Sequence, residues 1–279
     1  MIIPSYSRPS NLRHIVLWLL PLEPMRRQGS EIIITHGSAA SYAAARHLVD
    51  GVRHLDYTTT NEDERWFVAQ RYFAAAAAAH NNVLLHLDDD IVPGESMLQA
   101  LIDAVALEPG FPLYVDHAPG LYGPSGLSRS CGKSGYTRGY EPLASEADRA
   151  VLTTLASCSK ALNAKWLAVA NRSFHPLLKR TRGNGEDLTY SFVAGRKHQR
   201  HLGSCTAGKL RDACATVAGE YYWVRGGGEE TPGGFTYHDA AGHYETRERI
   251  CKCLYTMGSD GEQLVSCVGE TVGALRDEL

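Results

Sequence analysis

The chain has no apolar run long enough to cross a bilayer. The longest near its start, residues 15–20, follows Arg13 and His14 and is stopped by Pro21, far short of the roughly twenty residues a membrane helix needs. Nothing has the charged, apolar and small-residue succession of a secretory signal, so the compartment stays open, with a targeting segment either missing or never present. A positive charge excess is also lacking: 28 Lys and Arg stand against 31 Asp and Glu, a formal charge of -3. That excludes nucleic acid as the expected partner, and any anionic substrate must be met by a local cluster of cations. The seven cysteines form neither the paired doublets of a zinc site nor a dense disulfide framework, and an odd count leaves one thiol over. Cys251 and Cys253, two apart on a predicted helix, point to different faces and do not make a joint metal site.

What the chain does have is core material. With 279 residues and 44% hydrophobic content it can bury one large α/β domain or two closely packed halves. Short apolar runs at residues 1–3, 31–35, 52–57 and 83–87 predict strands of a parallel sheet, because the stretches between them are long enough for crossover helices. The clearest crossover helix spans 61–80 and carries Trp66, Phe67 and Phe73 as packing residues before six consecutive alanines. Residues 117–142, with six glycines and three prolines, predict a long loop of the kind that often serves a site. Regular structure resumes over 150–157, followed by a helix carrying Trp166 and Leu167. A second glycine-rich stretch, 226–234, precedes a predicted helix at 244–255. There is no internal repeat.

The chemistry gathers at Asp88, Asp89 and Asp90, directly at the carboxyl end of the fourth predicted strand, the edge where open parallel sheets bind ligands. Three adjacent carboxylates repel one another and are costly to leave unpaired when half-buried. A divalent cation relieves both problems, and hard oxygen donors favour manganese or magnesium completed by substrate phosphates. The plainer reading is a solvated acidic turn. The order of alanine-rich helix, apolar strand and acidic triplet, with Pro93-Gly94-Glu95 turning the chain away, resembles the metal-binding D-x-D element of glycosyltransferases with the GT-A fold.

Further stretches resemble one family in the same order. The opening Ser5-Tyr6-Ser7-Arg8-Pro9-Ser10-Asn11-Leu12 looks like the first strand and turn of a nucleotide-sugar half-domain. Asn184-Gly185-Glu186-Asp187-Leu188 is similar to the N-C-E-D or N-C-D-D segment of the exostosin-like enzymes, glycosyltransferase family 64. Gly234-Phe235 with His238, His243, Arg247 and Cys251 resembles that family's terminal pattern, and residues 153–165 look like its acceptor-side strand and helix. The resemblance implies a GT-A, Rossmann-like α/β fold with a mixed central sheet flanked by helices. It implies one catalytic domain over 1–279, with a nucleotide-sugar half at 1–90 and an acceptor half at 91–279, and a Golgi or ER lumenal setting. Gly185 stands where the family has cysteine, so a family-type bridge from that position to the terminal helix would leave Cys251 without its partner. The glycine-rich insertion falls where acceptor contacts would lie, so the acceptor is not carried over.

Under this resemblance the chain moves a sugar from a UDP-sugar to a hydroxyl of a carbohydrate acceptor, with retention of configuration. Manganese, with magnesium as substitute, would be held mainly by Asp90, with Asp88 near the ribose or the metal shell. Asp89, Arg8, Arg71 and Glu186 would support substrate binding. Asp187 would stabilise the charge developing at the sugar carbon, and Arg247, one turn after His243 on the same helix face, would neutralise the leaving group. Other readings weigh against parts of this. His86 in an apolar strand reads as a hydrogen-bonded core residue, Arg71 as a solvated ion pair, and His243 and Arg247 as a cap or surface pair. Asn171-Arg172-Ser173 is a formal glycosylation sequon. Two alternative functions stand: an inverting GT-A enzyme with Asp187 as general base, and an inactive fold that binds nucleotide or glycan without turnover.

Overall fold

The computed structural model of the chain describes residues 1–5, 9–37, 39–47, 50–56, 69–73, 80–89, 91–93, 95, 98–99, 102–103, 113–115, 127–128, 130–132, 135–136, 141–142, 152–153, 159–181, 183–190, 203–204, 221–223, 242–257 and 261–268. Arg8, Asp90 and the stretches 61–68, 74–79 and 226–241 lie outside these.

The four strands expected at the start are present: β1 Ile2–Ser5, β2 Ile33–His36, β3 Arg53–Asp56 and β4 Val83–Leu87. They pair in parallel in the order β3-β2-β1-β4, with Ile2 beside Ile33 and also beside His86. β1, β2 and β4 carry Ile or Leu on both faces and are buried over almost their whole length, as strands covered on both sides must be. Helix α1, Pro9–Leu19, makes the first crossover. Proline at its first position suits an N-terminus, and Leu12, Ile15, Val16 and Leu19 form a buried stripe at helical spacing. A short α2, Glu23–Arg26, and α3, Ala39–Ala45, also belong to this half.

The rest of the chain turns the sheet from parallel to mixed. Beyond β4 come β5 Ile91–Pro93, β6 Leu113–Val115, β7 Leu127–Ser128, β8 Ser130–Gly132, β9 Gly135–Tyr136, β10 Glu141–Pro142, β11 Leu152–Thr153, β12 Ser159–Asn163, β13 Gly203–Ser204 and β14 Tyr221–Trp223. β12 inserts between β4 and β6, antiparallel to both, with Ser159 opposite Leu87 and Asn163 opposite Val83, and β13 closes that side. The result is one seven-stranded mixed sheet to which both halves of the chain contribute, the α/β architecture expected. Residues 117–142 are not the plain loop anticipated. They hold β8 and β9 as a hairpin, Cys131 opposite Tyr136 and Gly132 opposite Gly135, with two residues between the strands.

Three further helices back the second half: α4 Ala164–Arg180, α5 His243–Met257 and α6 Gly261–Val268. Cys253 of α5 and Cys267 of α6 form a disulfide. Cys251 is also disulfide-bonded, which corrects the expectation that Gly185 leaves it without a partner. The sequon reading is overturned by burial. Asn171 sits inside α4, its amide donating to the Tyr72 carbonyl at 3.1 Å and its oxygen accepting from the Tyr190 hydroxyl, so no glycan can be attached in the folded chain. Among the described residues no helix is long and apolar enough to cross a membrane.

Candidate active site

The carboxyl edge of the parallel strands ends on polar groups. Asp88 and Asp89 follow β4 directly and are half-buried. α1 is tied to this edge at its first turn, where the Asn11 amide donates to the Asp89 carbonyl at 3.2 Å.

Arg71, on the helical residues 70–73, reaches this edge from below. Its guanidinium is buried and forms ion pairs with Asp88 on one side and, at 3.2 Å, with Glu186 on the other. Burial by itself would pull Arg71 down; Asp88, then Tyr72 and Glu186, outweigh it, and the guanidinium is held well above its ordinary value. The surface ion pair offered as the plainer reading of Arg71 is therefore wrong: with side-chain exposures of 7% and 6% for Arg71 and Glu186, this is a buried pair. Asp88, at 33%, keeps one face toward solvent.

Glu186 and Asp187 open a helical segment at 186–190, just after a turn that depends on Gly185. Gly185 has φ +77°, and a Cβ added there would stand 2.5 Å from Ile250 Cδ1. Glycine is thus required where the resembled family carries cysteine: the backbone is left-handed, a conformation costing other residues roughly 1–2 kcal/mol. Gly185→Ala is expected to lower the unfolding free energy by about 1–2 kcal/mol, readable as an earlier midpoint in a urea melt; an unchanged midpoint would mean the turn relaxes freely. Asn184 ties the turn to α5, donating to the His243 carbonyl at 3.0 Å.

Asp187 has both oxygens engaged. Oδ1 accepts from the Leu188 backbone N–H at 2.8 Å, and Oδ2 accepts from Arg247 at 2.7 Å. Arg247 is buried and held well above its ordinary value, burial opposing the charge while Asp187, Tyr136 and Glu186 outweigh it. Its guanidinium lies 4.8 Å over the Tyr136 ring, and the Tyr136 backbone N–H donates to Glu248 Oε2 at 2.6 Å, which fastens hairpin β8–β9 to α5. His243 and Arg247 occupy successive turns of one buried face of α5, so neither is the surface pair of the plainer reading, and His243 takes part through its carbonyl.

Below these charges lies an aromatic floor. Tyr72 stacks on Tyr190 at 4.3 Å and tilts against His86 at 5.0 Å, so His86 is the core residue the strand pattern implied. Burial pushes both phenols well up, so they stay neutral beside Glu186.

Six of the expected site residues, Arg71, Asp88, Glu186, Asp187, His243 and Arg247, are thus gathered through hydrogen bonds and ion pairs, with Asp89 adjacent on the turn. Arg8 and Asp90 lie outside the described residues. Two features were missed in the reading of the sequence. Tyr136 lies in the stretch read as loop. The second is a hydrogen-bonded chain along the same sheet edge, from Ser5 Oγ to Ser41 Oγ at 2.5 Å, on to His36 Nδ1 at 3.2 Å, and from His36 Nε2 to His54 Nδ1 at 2.9 Å. A histidine at the carboxyl end of the second strand was the available clue to it.

Among the described residues no three His, Cys, Asp or Glu side chains converge closely enough to hold a metal ion. The donor chemistry nonetheless fits a hard cation. Three carboxylates meet two guanidiniums before Asp89 and Asp90 are counted, and Arg71 engages only Oδ1 of a half-exposed Asp88.

No protein-family model matches the sequence, and no curated protein matches it. In structure the chain is similar to a CMP:2-keto-3-deoxy-manno-octonic acid synthetase complexed with CTP, at 9% identity and TM-score 0.45, over 73% of this chain and 87% of that one. It is similar to glucosyl-3-phosphoglycerate synthase from Mycobacterium tuberculosis in complex with Mn2+, UDP and phosphoglyceric acid, at 15% identity and TM-score 0.46, over 73% of this chain and 66% of the other. The mannosyltransferase PcManGT from Pyrobaculum calidifontis in complex with GDP-Man and Mn2+ is matched at 12% identity and TM-score 0.48, over 75% of this chain and 54% of that one. Likeness of this depth brings no activity with it.

Proposed function

We propose that the chain is a metal-dependent glycosyltransferase of the GT-A type, exostosin-like in its motifs, that moves a sugar from a UDP-sugar to a carbohydrate hydroxyl with retention of configuration. The observation that carries this reading is the double ion pair of Arg71. It joins the acidic strand end at Asp88 to Glu186, and the next residue, Asp187, pairs with Arg247, so segments far apart in the sequence make one cluster of ion pairs reaching the ligand-binding edge of the sheet.

Asp90 and the remaining oxygen of Asp88 would hold manganese or magnesium, which would supply positive charge to stabilise the departing diphosphate. The bond from the sugar's anomeric carbon to the diphosphate oxygen breaks with its electron pair going to the phosphate. The acceptor oxygen bonds to that carbon, and its proton passes to the departing phosphate oxygen. Asp187, fixed by Leu188 and Arg247, presents negative charge to the developing positive carbon, and Arg247 supplies a fixed positive charge for the leaving group. Arg8, Asp89 and Glu186 serve donor binding, with the nucleotide-sugar half at 1–90 and the acceptor half at 91–279.

The inverting alternative, with Asp187 as general base, is separated from this reading by the anomeric configuration of the product. The Cys253–Cys267 disulfide supports an oxidising compartment, in keeping with a lumenal setting.

A nucleotide-sugar panel read as UDP or GDP release tests the proposal. Release is expected with manganese, to fall at least about tenfold on chelation, and to fall similarly in Asp90→Asn. Release that survives both treatments unchanged removes the metal from the reaction.

A further inference from the structure

The two buried arginines of the site are held differently. Arg71 is gripped from two sides, by Asp88 and by Glu186. Among the described residues the one hydrogen bond of Arg247 runs from Nη2 to Asp187 Oδ2, at 2.7 Å, and its buried Nε has no partner. A guanidinium tied at a single nitrogen still pivots about that bond. Something else must fix it if its charge is to stand in one place.

The ring of Tyr136 supplies that second contact. It lies 4.8 Å from the guanidinium carbon, well within the range of a cation over an aromatic face. Tyr72 stands farther from Arg71, at 5.8 Å, where two carboxylates already do the holding. Tyr136 is 6% exposed, and among the described residues its buried hydroxyl has no hydrogen-bond partner. A buried tyrosine ordinarily finds one, so what ties this side chain to the site is its ring.

Tyr136 is anchored to the same helix that carries Arg247. Its backbone N–H donates to Glu248 Oε2 at 2.6 Å, and Glu248 Oε1 meets Lys252, one turn on, at 2.9 Å. Two adjacent residues of α5 thus take the backbone and the ring of one tyrosine, although Tyr136 and Arg247 lie on opposite sides of the second half of the sequence.

We infer that Tyr136 is a positioning residue of the proposed transfer and acts through Arg247: its ring holds the guanidinium against Asp187 and fixes where the positive charge stands. This rests on the leaving-group role proposed for Arg247. A fixed charge lowers a barrier because it needs no reorganisation during the reaction. Loss of the ring therefore lowers turnover rather than donor binding.

Variants of the whole chain test this, with transfer read on the UDP-sugar that the panel identifies. Tyr136→Phe keeps the ring and is expected to turn over within about twofold of the parent. Its unfolding midpoint should be at least as high, since it removes a buried hydroxyl that had no partner. Tyr136→Leu should lower kcat about tenfold at little-changed donor KM. In an Arg247→Lys background, whose compact ammonium lacks the planar fork, the same change should cost less than about twofold. Glu248→Ala, at a side chain 32% exposed, loosens the anchor without touching the ring and should lower kcat by about threefold.

A spectroscopic readout needs no substrate. With isotope-labelled arginine, the Nε–H signal of Arg247, assigned by its loss in Arg247→Lys, should sit upfield under the ring, stay there in Tyr136→Phe and move downfield in Tyr136→Leu. A panel that finds no donor would end the transferase reading, while this signal would still decide the contact. The inference is overturned if Tyr136→Leu turns over at the parent rate, if Tyr136→Phe loses as much as Tyr136→Leu, if the losses add to that of Arg247→Lys, or if the Arg247 signal stays in place without the ring.

Discussion

Arg71→Leu is expected to lower the unfolding free energy by about 3–5 kcal/mol, the usual cost of removing one partner from a buried ion pair. The loss falls unequally on the two carboxylates. Asp88 keeps a third of its side chain in solvent and rehydrates, whereas Glu186, at 6%, is left charged in the interior next to Tyr72 and Tyr190, whose own burial shows how little water reaches it. Because the desolvated Glu186 is the source of the penalty, neutralising it should restore stability: Arg71→Leu with Glu186→Gln is expected to recover part of the loss, a non-additivity of the sort contacting residues display. Urea unfolding of the two single variants and the double variant measures this. A loss below about 1 kcal/mol for Arg71→Leu would mean the pair behaves as a solvated one, and the link between the two acidic segments would be incidental.

Asp187→Asn is expected to lower sugar transfer by about 10²–10³-fold, the range seen when one fixed electrostatic group of an active site is removed. The substitution keeps the shape of the side chain and leaves an oxygen for the Leu188 N–H. What it removes is the negative charge that the proposed reaction sets against the sugar carbon, and the counter-charge of Arg247, which burial opposes and Asp187 foremost sustains. Rate and binding should separate: donor turnover falls, while UDP affinity in the presence of manganese changes far less, because in the proposed reaction Asp187 acts on the reacting carbon rather than on the phosphates. Single-turnover transfer beside calorimetric UDP titration makes the distinction. Transfer at the parent rate would take Asp187 out of the chemistry and leave its pair with Arg247 a structural one; a parallel loss of UDP affinity would make Asp187 a donor-binding group.

Much of the frame was legible in the residues because it is local. The four opening strands are apolar runs a few residues long, and each formed where its run lies, within two residues at the ends. The acidic triplet sits at the end of β4 because side chains that cannot be buried end a strand that can. His86 belonged to the core by the same reasoning. The two segments Glu186-Asp187 and His243-Arg247 were legible as motifs, and the spacing of the latter placed both residues on one helix face.

What no local pattern could supply is which distant groups meet. Arg71 between Asp88 and Glu186, Tyr136 under Arg247, and Asn171 closed in by Tyr72 and Tyr190 are each fixed by how layers pack. A sequon is three residues long and cannot tell that its asparagine faces inward; the helix stripe and the opposing aromatics decide that. The antiparallel insertion of β12 beside β4 is another such case, since pairing depends on closing a long stretch of chain and on which strand edge is still open. The sequence by itself determined the elements and the residue types with chemistry in them, because hydrophobic periodicity and charge repulsion act over a few residues. Only the tertiary structure decided the partners of each charge, because the energy of a buried ion is set by what surrounds it in space.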